Sequence, residues 1–280
     1  MPDQNLIKKS IHYRKNILRY IYHANAGHTG GSLSCIDILN VLYNHVMNVS
    51  PANFDSLDRD RYIQSKGHSV EALFVVLADK GFFPESELDS LCKYNSHYIG
   101  HPTRKVRGVE QNTGALGHGL PISVGTALGG KMDDRKFRVF TLLGDGELPE
   151  GSNWEAALTA AHYGLDNLCA IIDHNKLQIT GKTSDVCNTE PIDAKFESFG
   201  WEVRHVDGHD LDALKECFSA LPFVKGKPSL IIADTIKGKG ISFMENQIKW
   251  HHGVPDEKQY KEALTELDFA TTTVPDDFEP

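Results

Sequence analysis

FRVFTLLGDGELPEGSNWEAALTAAHYGLDNLCAIIDHN, residues 137–175, holds two apolar runs that each end on a polar motif. Phe137–Leu143 runs straight into Gly144-Asp145-Gly146, and Leu168–Asp173 runs into His174-Asn175. Glu150–Tyr163, between them, is spaced as a helix. A strand, a crossover helix and a return strand fit this length. Two such strands lie parallel and bring Asp145 and Asn175 side by side beyond their carboxyl ends, where ligands of open α/β sheets sit.

The same alternation continues outward on both sides. Residues 4–24 read as a helix with Leu6, Ile17, Leu18 and Ile21 on one face, stopping near Gly27. Ser32 or Ser34 is expected to cap a second helix through about Val46, whose stripe Ile36, Leu39, Leu42, Tyr43 belongs to the core or to a dimer surface. Arg61–Ser65 is strand-like, Val70–Lys80 helical and 95–113 a loop. Leu116–Lys131, rich in Gly and Ala, predicts a closely packed helix. Phe199–Val206, a helix over 210–221 with Asp210 as cap, and a strand over Ser229–Asp234 complete the pattern. The expected class is α/β: a mainly parallel sheet with helices on both faces. One domain over 1–267 with a loosely held tail over 268–280 is expected.

Composition sets limits on function. A 40% hydrophobic and 24% charged chain of 280 residues can bury a real core. The net charge of −9 and the absence of a Lys/Arg concentration give no nucleic-acid surface. No apolar run approaches a membrane span, and the N-terminus lacks a signal-type apolar region. Five cysteines without a CxxC favour a reducing compartment, so a cytoplasmic location is expected.

A carboxylate and an amide oxygen are hard ligands. With a backbone carbonyl, phosphate oxygens and water, Asp145 and Asn175 would complete an octahedron suited to Mg²⁺, with Ca²⁺ or Mn²⁺ as substitutes. Gly146 lets the backbone approach a phosphate, and the helix starting near Glu150 turns its N-terminus toward negative charge. Gly-Asp-Gly alone is a common turn, and Asn alone often caps one. It is the spacing, with an apolar strand before each, that raises the metal–diphosphate reading.

At these residues the sequence resembles the thiamine-diphosphate enzymes, and its wider text resembles transketolase. AGHTGGSLSCIDIL from Ala26 is similar to the family's GHPG segment, and DRDRYIQSKGHSVEAL from Asp58 to its D-R-F-x-x-S-x-GH segment. GHPTRKVRGVEQNTGALGHGL from Gly100, TIKGKGISFMEN from Thr235 and HHGVP from His251 match later segments. The resemblance implies metal ligation by Asp145, Asn175 and the Leu177 carbonyl. It implies diphosphate contacts from His68, Gly146 and His252, with Glu147 beside them. Gly114, Ala115 and Leu116 would touch the aminopyrimidine of thiamine diphosphate, with Ile179 near it. His28, His101 and His252 would face the substrate and carry the catalytic proton transfers, since imidazole titrates near neutral pH.

The sequence departs from the family pattern at Thr29 (Pro in GHPG), His118 (often Gln), Glu147-Leu148-Pro149 and His174 (often Asp). His12, His23, His45, His162, His205 and His209 are expected to be surface or structural, and Lys237-Gly-Lys-Gly240 a solvated turn rather than a phosphate grip. The family's second domain, with the glutamate that activates the cofactor ring, has no counterpart in these residues. The expectation is a separate C-terminal-type subunit with a pyrimidine domain, an α₂β₂ assembly about a two-fold axis, and transfer of a two-carbon ketol unit between sugar phosphates. Alternatives are an unusual sugar such as a sulfosugar, another thiamine-diphosphate activity acting on pyruvate, or a non-catalytic binding subunit.

Overall fold

The computed structural model describes residues 3–274. Its elements in chain order are α1 (Gln4–Ala24), α2 (Thr29–Val41), β1 (Arg61–Gln64), α3 (Val70–Asp79), α4 (Gly119–Met132), β2 (Val139–Gly144), α5 (Gly151–His162) and β3 (Leu168–His174). There follow a small hairpin, β4 (Leu177–Gln178) and β5 (Gly181–Lys182), then α6 (Thr183–Val186), α7 (Ile192–Phe199), β6 (Glu202–Asp207), α8 (Leu211–Ser219), β7 (Ser229–Asp234) and α9 (Glu257–Thr272).

The five long strands form one sheet in the order β1-β2-β3-β7-β6, every pair parallel. Side-chain alternation feeds two cores, one on each face. Phe140, Leu142, Cys169, Ile171, Ile231 and Ala233 pack toward α1, α2, α3 and α8. Val139, Leu143, Ala170, Ile172, Leu230 and Ile232 pack toward α4, α5 and α7. This double burial explains why β2, β3 and β7 read as unbroken apolar runs. Gly144 pairs with Asp173 in the β2–β3 register, so the loops after both strands leave the same edge of the sheet together.

Three expectations are corrected here. Ser32 and Ser34 do not cap the second helix. α2 starts at Thr29 with His28 as its N-cap residue, and both serines lie inside it, where Ser32 Oγ donates to Glu71 (2.8 Å) and Ser34 Oγ to Asp173 (2.6 Å). Residues 42–46 continue as a π-helical turn instead of regular helix. Phe199 ends α7 and Gly200, at φ 102°, closes it, so the next strand begins only at Glu202. Asp210 does cap α8, accepting from the backbone N–H groups of Asp212 and Ala213. α9 carries on through Thr272, past the start of the expected tail, and residues 275–280 lie outside the described residues. No helix among the described residues is long and apolar enough to cross a membrane.

Candidate functional site

The loops leaving β2 and β3 meet at one point. The buried Asp145 carboxylate accepts the N–H of Gly146 (2.7 Å) through one oxygen and that of Lys176 through the other. The second bond ties the Gly-Asp-Gly turn to the residue next to Asn175. Asn175 Nδ2 donates to Asp173 (3.1 Å), and its Oδ1 accepts the N–H of Leu177 (3.1 Å). A carboxylate accepts only, so the amide nitrogen must face Asp173 and the amide oxygen is left for the other side. The side chain is thus set with its hard oxygen available.

Asp173 is the hub beneath this edge. Besides Asn175 and Ser34 it accepts from Lys66 Nζ and Thr235 Oγ1, and it is fully buried. Lys66, buried as well, also donates to the Gly31 carbonyl (3.1 Å). Burial alone would raise the Asp173 pKa, and Lys66 beside it reverses this and holds it below the usual range. Asp145 has no such cation: burial and the charge of Asp173 raise its pKa. A buried carboxylate whose oxygens meet only backbone donors is suited to a divalent ion, which would neutralise it. The donor set of carboxylate, amide and carbonyl therefore fits Mg²⁺.

A cavity of about 270 Å³ opens above these groups, lined among others by His68, Gly114, Leu116, Asp145, Gly146, Glu147, Asn175, Leu177 and Ile179. Gly146 is needed there, because a Cβ on it would stand 2.9 Å from Gln178 Cβ. Gln178 Oε1 is buried without a partner, a polar atom at the wall that a ligand could satisfy. Ile179, 61% exposed, offers apolar surface at the rim. These features fit a metal-bridged diphosphate with a ring system at its edge.

Glu147 lines the cavity, but its oxygens are engaged by Ser65 Oγ and the N–H groups of Gly117 (2.8 Å) and Gly144 (3.1 Å). It shapes the loops instead of offering a free group. Ala115 is exposed on a neighbouring shallow hollow with Asn112 and His118, so of the predicted aminopyrimidine stretch Gly114 and Leu116 reach the main cavity.

The imidazoles gather at its mouth. The His28 ring centre lies 5.2 Å from His68, 6.0 Å from His101, 5.9 Å from His251 and 4.4 Å from His252. Burial and the neighbouring imidazoles push His28 down to about 4, with its Nδ1 buried and unpartnered. Burial and Lys66 hold His68 well below the ordinary value. His252 is exposed beside His28.

Lys237, His251 and Thr29 were not read from sequence as site residues. Lys237 is buried, not solvated, and lines the cavity, donating to the Leu177 carbonyl (3.3 Å) and sharing a hydrogen bond with His251 Nδ1 (2.9 Å). Burial and the charge of Lys66 bring its pKa down to about 8. The sequence signals were the Lys-Gly-Lys-Gly run itself, read as a solvated turn, and its place shortly after β7, at the same sheet edge as Asp145 and Asn175. Thr29, where the family has Pro, donates to the Gly253 carbonyl (2.6 Å), a link that pins the HHGVP segment to α2 and that Pro could not make.

Glu71, fully buried on α3, accepts the His28 N–H (3.2 Å) and the Ser32 hydroxyl, holding the His28 loop from below. Burial raises its pKa to about 7. A carboxyl whose folded pKa exceeds its unfolded value destabilises the fold as pH rises between the two, here from about 4.5 to about 7. Glu71→Gln is expected to flatten that decline, gaining on the order of 3 kcal/mol over the parent at pH 8 and little at pH 5. Denaturant melts at both pH values check this; equal shifts at the two would refute it.

Comparison with known proteins agrees with this geometry. The family model described as "Transketolase, thiamine diphosphate binding domain" matches residues 9–278. An apulose-4-phosphate transketolase subunit of Phocaeicola vulgatus is 45% identical over 267 residues, covering 95% of each chain. The 6-deoxy-6-sulfo-D-fructose transketolase subunit SqwG of Clostridium sp. is 40% identical over 256 residues, covering 91% of this chain and 93% of that one. Among solved structures, the Campylobacter jejuni transketolase superposes with a TM-score of 0.89 at 30% identity over 97% of this chain and 44% of its own. This chain thus spans less than half the length of such solved transketolases. Sheet order, motifs and both sets of relatives converge: the chain belongs to the transketolase family, as its thiamine-diphosphate-binding domain.

Proposed function

We propose that this chain is the diphosphate-binding subunit of a two-chain transketolase. It holds thiamine diphosphate through a divalent ion, and a separate pyrimidine-domain chain completes the site. The observation that carries the reading is the bond from Lys176 N–H to Asp145, which brings a carboxylate and the Asn175 amide oxygen to one sheet edge under a cavity. Asp145, Asn175 and the Leu177 carbonyl would hold Mg²⁺, and His68, Gly146 and Lys237 would face the diphosphate. When bound, thiamine diphosphate supplies the nucleophilic carbon and the electron sink that ketol transfer requires. The protein's own part is orientation and proton movement. His28, His101 and His252 would take up and return a sugar's hydroxyl protons, and burial, which lowers the pKa values of His28 and His101, favours their proton-accepting form. An anionic ligand beside them would raise their pKa values toward neutrality.

The need for a partner is supported by relatives of similar length that are named as subunits. Their names also point to uncommon ketoses, so the donor panel should include apulose 4-phosphate and 6-deoxy-6-sulfofructose beside xylulose 5-phosphate. The exposed face of α4, with Pro121, Ile122, Gly125, Gly129 and Met132, is a smooth apolar surface suited to close helix packing against such a partner. The test is co-purification with a pyrimidine-domain chain, followed by the donor–acceptor panel with thiamine diphosphate and Mg²⁺. Activity is expected only from the mixture. Full turnover by this chain alone, or no coenzyme uptake by the mixture, would overturn the reading.

A further inference from the structure

His251 lines the cavity beside Lys237, and neither the metal set nor the substrate-facing histidines account for it. Its Nδ1 lies 2.9 Å from Lys237 Nζ. An ammonium group carries three donors and no acceptor, so Nδ1 must accept. A neutral imidazole that accepts at Nδ1 has its one proton on Nε2. The ring cannot easily turn over to exchange the two nitrogens. It is stacked on His68 at 5.1 Å and 25°, with His28 edge-on at 5.9 Å and 86°. The backbone on either side is held too: Trp250 is buried and donates to the Phe243 carbonyl (3.2 Å), and Thr29 grips Gly253. A Cβ on Gly30 would stand 2.9 Å from the Trp250 carbonyl, so α2 is packed directly against this segment.

We propose that His251 is a positioning residue whose Nε2–H is a fixed, neutral donor to an anionic oxygen of the diphosphate, its tautomer set by the Lys237 ammonium. The ligand half of this inference rests on the thiamine-diphosphate reading above; the tautomer half does not. The charge environment agrees: burial, then Lys237, His28, Lys66 and His252, push His251 down to about 3. A neutral donor suits the position. Lys237 already brings positive charge to this wall, and an N–H of fixed direction adds orientation without a second buried charge.

The tautomer is read directly by long-range ¹H–¹⁵N correlation of the ¹⁵N-histidine-labelled chain without ligand, with the His251 signals assigned by their loss in His251→Gln. One neutral form protonated at Nε2 is expected at pH 6 to 7, where Lys237 is an ammonium. An Nδ1-protonated ring, a rapid mixture of the two, or titration of the imidazole in that range would overturn the lock. For the donor role, thiamine diphosphate and Mg²⁺ binding is measured in the complex with the pyrimidine-domain chain by tryptophan quenching. His251→Phe keeps the stacking but has no donor, and His251→Asn places its amide near the Nδ1 position; each should weaken binding ~10-fold. His251→Gln, whose amide reaches the Nε2 position, should restore most of it. Wild-type affinity in His251→Phe would refute the donor role. No uptake by the wild-type complex would sink the functional reading and the ligand half with it, while the NMR result on the lock would stand.

Discussion

Asp145→Asn is expected to raise the melting temperature of the ligand-free chain while abolishing the rise that thiamine diphosphate and Mg²⁺ produce in the parent complex. The two effects have one origin. The Asp145 carboxylate is buried and near Asp173, so its folded pKa lies above the ordinary value. The sign follows: a carboxyl with a raised folded pKa makes the fold less stable once pH exceeds the unfolded value, and at pH 8 that penalty is fully present. An amide of the same shape removes it, but its NH₂ cannot accept from one of the two backbone N–H groups, of Gly146 or Lys176, so the net gain is roughly 1–2 kcal/mol. The same charge is what a divalent ion needs. Without it the metal keeps only neutral oxygens from Asn175 and Leu177, and affinity should fall on the order of 100-fold or more, about 3 kcal/mol. Stabilisation by ligand is a mass-action effect, so the thermal shift should disappear at coenzyme concentrations that saturate the parent. Thermal melts with and without both ligands check the two signs at once. A D145N complex that still gains the parent's ligand-dependent shift would mean that the ion is held elsewhere.

This edge was legible because its signal is local. An apolar strand followed at once by Gly-Asp-Gly or His-Asn places polar groups at a carboxyl end whatever the rest of the chain does. The sheet class was legible for the same reason, since β2, β3 and β7 are buried on both faces and show no polar alternation. Lys237 and His251 were not legible, because what packs against them comes from α2, His68 and the loop after β3, all remote in sequence. A Gly-Lys-Gly run normally signals solvent, and nothing nearby says otherwise. α9 is hard to read because only Ala263 and Leu267 are buried along it, so its apolar stripe is narrow. The serines of α2 mislead for a related reason. Ser is a good cap in isolation, but Glu71 and Asp173 claim these hydroxyls from across the core.

The Asp173–Lys66 pair should give the largest stability change from one substitution. Both groups are buried, and removing one leaves the other charge uncompensated, which costs roughly 3–5 kcal/mol. Lys66→Met is therefore expected to lower the melting point by ~10 °C at neutral pH. The pH dependence identifies the cause. In the parent, Lys66 keeps the Asp173 pKa below its ordinary value, so the pair's contribution is present at neutral pH and is lost as pH falls through the folded pKa. In Lys66→Met the carboxyl loses its cation, burial raises its pKa, and it takes up a proton on mild acidification. The deficit relative to the parent should accordingly shrink from pH 8 toward pH 4. Adding Asp173→Asn removes the stranded charge and should recover most of the loss, because the one amide oxygen can accept from Ser34 or Thr235 while the other hydroxyl turns to accept from the amide NH₂. Coenzyme binding should not recover with it. The carboxylate orients Asn175 by accepting at its Nδ2, and an amide at position 173 could equally present its NH₂ there, freeing Asn175 to turn its oxygen inward. A double variant that regains stability but not affinity separates Asp173's part in the fold from its part in aiming a metal ligand. Full recovery of both would show that the orientation of Asn175 is set by the Leu177 N–H alone.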